Sequence, residues 1–375
     1  MLPPIFEEPS FSLYRFITLL SICLTHFFSI VFILLRTPQT PSLRAYRLSK
    51  YIMAIAYMLV AVFNTVELLN TDQYTDGRYT LLITVAASSL QIFLLSAILI
   101  MLINTQYFNI RNFLFELLPS IVLGIIAYIM LRSDHSIAFN YALGIFITYF
   151  CLQCVRYSLR FFKEKANTIR KIDNFFSADA NSRKLRWITQ TFIALMCMGV
   201  LAMLSFIIPR MFMIPFSVLY FLFYFYLGMK HLNYIYYFHE YEIVFTPQAE
   251  NVDLTTQHNN HSLPWEQLEN AIINWEKTRF FTEPGLTIEQ VATQLNTNRT
   301  YLSNYVNQIK QQSFKEWINQ LRIMEAKQLL LEKPTRHVGE IGVMVGLPDK
   351  SNFGRLFTRN TGVSPQTWRK KQQKA

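Results

Sequence analysis

Two sets of polar side chains in the last third of the chain have the types and spacing to hydrogen-bond a polyanion. The first is Arg299, Thr300, Ser303 and Asn304, and the second is Lys350, Ser351, Asn352 and Arg355. Arg and Lys neutralise phosphates, Arg grips a guanine edge with two parallel donors, and Ser, Thr and Asn reach phosphates and base edges over shorter distances. Arg355 is the side chain expected to make a base or phosphate contact in the second set. The chain carries no glycine-rich phosphate loop, no HExxH and no nucleophile–base set, so the reading assigns no catalytic residue, no metal and no cofactor. His258 and His261 lie in a polar stretch where histidines are usually solvated. Cys23, Cys151, Cys154 and Cys197 all fall within apolar runs and read as packing residues.

Helices must present those polar sets, and the sequence marks where the helices begin. "WEQLENAIINWEKTRFF" reads as an amphipathic helix that ends near Pro284-Gly285. Thr287 and Gln290 have capping-box spacing, and Ile288, Val291, Ala292 and Leu295 follow on one face. Asn296-Thr297-Asn298 makes a three-residue turn into "RTYLSNYVNQI". There Leu302, Tyr305, Val306 and Ile309 are expected inward, leaving the first polar set outward. Ser313 and Glu316 form a second capping box, opening a long helix whose buried side is Phe314, Trp317, Ile318, Leu321, Leu329 and Leu330. After Pro334, Val338, Ile341 and Val345 line another helix, Gly346 allows a turn, and Phe353, Leu356 and Phe357 anchor the helix that carries the second polar set. Ser364-Pro365 starts a short closing helix, with Ser as N-cap and Pro at N1. Helix, short turn, helix is the helix-turn-helix layout, and it occurs here twice. A connecting helix of ~20 residues spans ~30 Å, close to the ~34 Å that separates successive major-groove faces. One chain can thus read two grooves.

This part of the chain, about 266–372, resembles the DNA-binding domain of AraC/XylS-type bacterial transcription regulators. The resemblance rests on "TIEQVATQLNTNRTYLSNYV", "INQLRIMEAKQLLL" and "HVGEIGVMVGLPDKSNFGRLFTRNTGVSPQTWRK". Gly346, Phe353, Arg355, Phe357, Gly362, Pro365 and Arg369 fall at the family's spacing. It implies that both reading helices enter the major groove of double-stranded promoter DNA. Leu347-Pro348 replaces the family's aromatic-polar pair, Asn352 is unusual at its place, and Gly354 stands where a polar residue is expected. A glycine costs about 1 kcal/mol in a helix interior, so the second reader is expected to be the weaker or to bind differently. From Thr335 onward there are eight basic residues against two acidic ones, whereas residues 231–375 as a whole carry 16 against 14. The basic surface therefore concentrates around the second reader and the tail "RKKQQKA".

The other two-thirds of the chain has a different solvent. Hydrophobic residues make up 52% of the 375 residues and charged residues 16%, against roughly 25% charged in soluble domains. Apolar runs at about 11–35, 51–70, 79–103, 113–131, 137–155, 188–208 and 211–229 are each near the ~20 residues a membrane-crossing helix needs. No basic residue precedes the first run, and Glu7 and Glu8 occupy the place of a signal peptide's positive region. With the N-terminus outside, the inner segments 36–50 and 156–186 hold the basic excess. The second of these carries nine basic residues against three acidic ones, which meets the positive-inside rule. Those inner loops also suit anionic lipid headgroups. Polar residues within the runs (His26, Asn64, Glu67, Gln91, Glu116, Asn140 and Gln153) are the candidates for a sensing site. For His26 an interhelical hydrogen bond is expected.

The expected organisation is all-α: a seven-span membrane bundle over 1–238, a linker over 239–263, and a cytoplasmic AraC-type tandem helix-turn-helix domain over 264–375. The expected location is the bacterial inner membrane, multi-pass, with the C-terminal domain in the cytoplasm. The favoured function is a membrane-bound regulator that binds promoter DNA, with the spans as sensor or anchor. Expected partners are DNA, the bilayer, a second copy of the chain and an unspecified signal ligand. The competing reading is a multi-span transporter or membrane enzyme with a C-terminal regulatory or docking module. A transporter should show broken helices and paired repeats, and Pro119, Pro209 and Pro215 are too few and too irregular to supply them.

Overall fold

The structure, a computed structural model, describes residues 9–40, 43–69, 77–104, 107, 109–133, 136–178, 185–204, 213–245 and 265–374. Among these residues there are fourteen α-helices, one short 3-10 turn and a single isolated β-bridge. The chain divides into two compact units. One comprises Met1–Ala166 with Arg186–Thr246, and the other Asn167–Leu185 with Pro247–Ala375.

The first unit is a helical bundle built from α1 (Pro9–Leu34), α2 (Arg44–Leu69), α3 (Gly77–Ile103), α4 (Ile110–Arg132), most of α5 (Ser136–Phe175), α6 (Arg186–Leu204) and α7 (Met213–Phe245). The first six are long and apolar enough to cross a membrane. The expected run 211–229 begins outside the described residues and continues in α7, which is not among those six. Helix α3 is the core element, with every residue from Ile92 to Ile103 buried. Around it, Ile30, Phe115, Leu118, Ile125, Ile145, Leu152 and Leu159 are exposed. Water-soluble proteins rarely expose so continuous an apolar surface.

Many polar groups in this bundle find partners within it, whereas the buried Ser96 and Tyr149 hydroxyls and the Gln153 side-chain nitrogen have none among the described residues. Thr18, Ser21 and Thr25 return their hydroxyls to carbonyls one turn back. Tyr57 donates to the Tyr224 carbonyl at 2.6 Å, and Ser89 bridges the Ser120 hydroxyl and the Gln153 side-chain oxygen. Glu116 accepts from Arg160 and from the Tyr157 hydroxyl, each at 2.7 Å. Gln91 accepts from the Tyr224 hydroxyl at 2.6 Å. His26, expected to bond between helices, instead places Nδ1 3.0 Å from the Ile22 carbonyl of its own helix. The loop expected over 156–186 is helical as far as Phe175. "RYSLRFFKEKANTIRKIDNF" contains no Gly or Pro to stop the helix.

The second unit contains α8 (Trp265–Lys277), the 3-10 turn Phe280–Thr282, α9 (Ile288–Gln294), α10 (Arg299–Gln308), α11 (Phe314–Glu332), α12 (Val338–Met344), α13 (Lys350–Thr361) and α14 (Pro365–Lys374). The starts are those the caps dictate. Both capping boxes, Thr287/Gln290 and Ser313/Glu316, are formed, and Ser364 accepts from the Thr367 N–H at 3.2 Å. Leu302, Tyr305 and Val306 face inward as expected, but Ile309 is 54% exposed. Helix α10 ends at Gln308, so Ile309 no longer follows the helical stripe. Beyond α11's midpoint the core joins Ile323, Ala326, Leu329 and Leu330 to Ile341, Val345, Leu347, Phe353 and Phe357, with Trp368 against it.

Two glycines in this unit predict opposite outcomes. Gly346 turns the chain at φ 78°, and a Cβ there would lie 2.2 Å from the Thr282 carbonyl oxygen. Gly346→Ala is expected to destabilise α12 and α13 by more than about 2 kcal/mol through strain and clash together. Gly354, inside α13, has nothing within 4 Å of an added Cβ. Gly354→Ala is expected to stabilise the same helix by about 0.5–1 kcal/mol. Amide hydrogen exchange of α12 and α13 in the full-length protein measures both.

Candidate nucleic-acid interface

The first polar set sits on α10, held against α9 by a three-residue turn. Asn296 takes the left-handed conformation at φ 51° that asparagine tolerates better than most residues. The Thr297 N–H closes onto the Ala292 carbonyl at 2.9 Å. Asn298 then caps α10 by accepting from the Tyr301 N–H at 2.8 Å. With Leu302, Tyr305 and Val306 buried, Thr300 is exposed and Ser303 and Asn304 are half-exposed. Asn307, one turn on, donates to the Ser303 hydroxyl at 3.1 Å and extends this polar face. Sequence reasoning missed it, although its i+4 spacing from Ser303 was available. Arg299 is half-buried. Its guanidinium lies 3.6 Å from the Glu289 carboxylate and 4.7 Å from the centre of the Phe175 ring.

The second set sits on α13. Asp349 caps the helix by accepting from the Asn352 N–H at 3.0 Å. Lys350, Ser351 and Arg355 are exposed, and so is Arg359, one turn beyond Arg355. Asn352, expected outward, is buried at 8% exposure. It precedes Phe353 and lies one turn before Leu356, at the edge of the stripe that packs on α11. Its side-chain oxygen accepts from Arg355 at 2.9 Å. It therefore orients Arg355 and does not itself form part of the open face. Arg359 carries the clearest signal that sequence reasoning passed over: a basic residue at i+4 from Arg355.

What fixes the two readers is a residue that the sequence did not single out. Arg322, in the middle of α11, is 1% exposed. Its Nε donates to the Phe281 carbonyl at 2.8 Å and its Nη2 to the Glu283 carbonyl at 2.6 Å. Burial pushes its pKa down to about 10, which leaves it charged at neutral pH. The Cβ position of Gly346, in the turn between α12 and α13, is 3.2 Å from its Nε. Arg322 thus ties the loop before the first helix-turn-helix to the turn of the second. At ~1.5 Å per residue, the 19-residue α11 spans ~28 Å, so it can hold two reading helices about one turn of DNA apart.

Comparison with known proteins points to the same part of the chain. A family model described as a helix-turn-helix domain matches residues 291–371. The Msm operon regulatory protein of Streptococcus mutans serotype c is 34% identical over 102 residues, covering 27% of this chain and 36% of that protein. The uncharacterized HTH-type transcriptional regulator YisR of Bacillus subtilis is 30% identical over 101 residues, covering 26% and 35% respectively. The chain therefore spans about a third of the length of these curated relatives. The solved C-terminal domain of AraT, a response regulator from Geobacillus stearothermophilus, is 30% identical, with 28% of this chain and 84% of that one covered and a TM-score of 0.25.

Two substitutions on α13 separate surface chemistry from packing. Arg355→Ala is expected to weaken binding to a selected DNA duplex by ~1–3 kcal/mol and to relax sequence preference, with unchanged thermal stability. Phe353→Ala removes a fully buried ring and is expected to cost ~3–5 kcal/mol of stability. Gel-shift titration and thermal denaturation, run on both variants, tell the two effects apart.

Proposed function

We propose, from the AraC-type helix-turn-helix domain that this chain carries in its C-terminal part, that it is a membrane-embedded bacterial transcription regulator. It binds promoter DNA through α10 and α13, by Arg299, Thr300, Ser303 and Asn304 on the first and Lys350, Ser351 and Arg355 on the second, with Asn352 positioning Arg355. The observation that carries the reading is the pair of helix-turn-helix units on either side of α11, in a chain whose described residues also include six helices long and apolar enough to cross a membrane. The basic excess of segments 36–50 and 156–186 supports an outside N-terminus and a cytoplasmic reader. We take residues 1–238 as the membrane domain, 239–263 as the linker and 264–375 as the reader, although α7 runs on to Phe245 and Asn167–Leu185 groups with the reader. Residues 246–263 lie outside the described ones. In this reading the spans sense a signal or anchor the reader, and no cofactor is needed.

Chromatin pull-down with sequencing on the full-length protein, together with membrane fractionation, tests the proposal. The expected result is a protein that sediments with membranes and enriches a small set of promoter fragments sharing a motif. The enrichment should be lost in a protein with Arg355 and Ser303 both changed to Ala. A membrane-bound protein that enriches no promoter fragment under any growth condition overturns the regulator reading.

A further inference from the structure

The second compact unit holds more than the reader. It includes Asn167–Leu185, the stretch at the far end of helix α5. This segment makes a set of specific contacts with the first helix-turn-helix unit. Asp173 pairs with Lys315 at the start of α11, Oδ1 to Nζ 2.9 Å, with both side chains largely covered. Phe175, 2% exposed, lies under the Arg299 guanidinium at 4.7 Å. Phe176 stands opposite Thr287 in an antiparallel bridge, and the Ser177 N–H donates to the Leu286 carbonyl at 3.0 Å. The Ser177 hydroxyl, itself buried, is 3.5 Å from Arg322 Nη2. An ion pair, a ring under a guanidinium and a main-chain pairing, all within five consecutive residues, constitute a docking site with a defined register.

One of those contacts engages a residue needed elsewhere. Arg299 is the first residue of the reading helix α10 and the only basic member of its polar set. With one face of its guanidinium on Phe175 and an edge toward Glu289, it is committed to protein. Its Nη1 is buried with no hydrogen-bond partner among the described residues, so a phosphate or base edge would have to draw the guanidinium out from beside the ring and Glu289. Breaking the docking contacts uncovers the buried Phe175 ring and parts the ion pair, so release needs a driving force from outside the reader.

We propose that Asp173–Ser177 is a built-in ligand of the first helix-turn-helix unit that competes with DNA for Arg299. The docked chain reads DNA poorly through α10. Release of the segment frees Arg299 and restores the two-reader grip. Because the segment ends helix α5, whose earlier residues form one of the apolar helices, movement of that helix controls release. The inference rests on the DNA-reading function proposed above. A ligand acting on the spans can shift the balance only by binding the two states unequally.

The test uses the full-length protein in lipid nanodiscs, with Cys23, Cys151, Cys154 and Cys197 replaced by Ala. Ser177 N–H to Leu286 O makes Phe176 and Thr287 a non-hydrogen-bonded antiparallel pair, whose Cα atoms lie ~4.5 Å apart, within disulfide reach. Phe176→Cys with Thr287→Cys therefore locks the segment down on oxidation and releases it on reduction. A second pair works by charge: Asp173→Lys opens the contact, and adding Lys315→Asp restores it. The probe is a duplex enriched from sheared genomic DNA on the Asp173→Lys protein. Expected results are binding at least about tenfold weaker in the oxidised than in the reduced double-cysteine protein, roughly one good base contact's worth. Asp173→Lys should bind severalfold tighter than the parent, and the charge swap should return affinity toward the parent. Equal affinity of oxidised and reduced protein overturns the competition while leaving DNA reading intact. Failure of the disulfide to form overturns the docking itself. If no duplex is enriched on any variant, the DNA-reading assignment falls, and this inference with it.

Discussion

A buried guanidinium held by main-chain carbonyls organises the reader. Moving a charged group out of water costs roughly several kcal/mol unless other dipoles replace the solvent. For Arg322 the replacements are main-chain carbonyls of Phe281 and Glu283, with the Ser177 hydroxyl nearby. Carbonyls of a loop can converge only if the loop holds one shape, so satisfying Arg322 fixes the 281–283 turn. The same turn passes so close to Gly346 that a side chain there has no room. One ionic group on α11 thereby sets the spacing of both helix-turn-helix units, and hence of the two faces that carry Arg299 and Arg355. Helix α11 is continuous because its sequence contains no Gly or Pro.

The two compact units handle buried polarity differently. In the bundle, many hydroxyls pair across helices or fold back on their own backbone, as with Ser89 and Thr25. A polar group left unmatched in hydrocarbon has no water to fall back on. In the reader, polar groups on the outer faces of α10 and α13 are left for solvent or a ligand, and apolar side chains supply the interior. Glu116, with two arginines and a tyrosine around it, is the bundle's most densely paired ion. That pairing accounts for its presence without invoking a ligand.

The local signals in the sequence were strong because they are governed by backbone chemistry within a few residues. Thr287, Asn298, Ser313 and Ser364 cap their helices where their types and neighbours require, and the apolar stripes of α9, α11 and α13 are buried as their spacing dictates. The apolar helices of the first unit follow from length and composition alone. Most of each polar reading set was legible for the same reason: what lies opposite a buried stripe is exposed.

Tertiary structure decided what depends on residues far apart in the chain. Asn352 turns inward because the edge of its helix meets α11, and Ile309 turns outward because α10 stops one residue earlier; periodicity cannot state either. Nothing local distinguishes Arg322 from the exposed arginines, since its partners lie about 40 residues back and were set by how the 281–283 loop packs. The contacts of Asp173 and Phe175 lie more than 120 residues ahead. In the sequence these residues read as part of a basic loop, because nothing within a helical turn of them reveals what will cover them. Sequence by itself determined most of the helices, where those of the reader begin and which faces are apolar, since those follow from hydrogen bonds and spacing within a turn or two; the helix through 156–175 was the exception. Only the fold decided which charges are buried, which reading residue is already occupied and which one is steered, because desolvation and pairing are properties of the assembled surroundings.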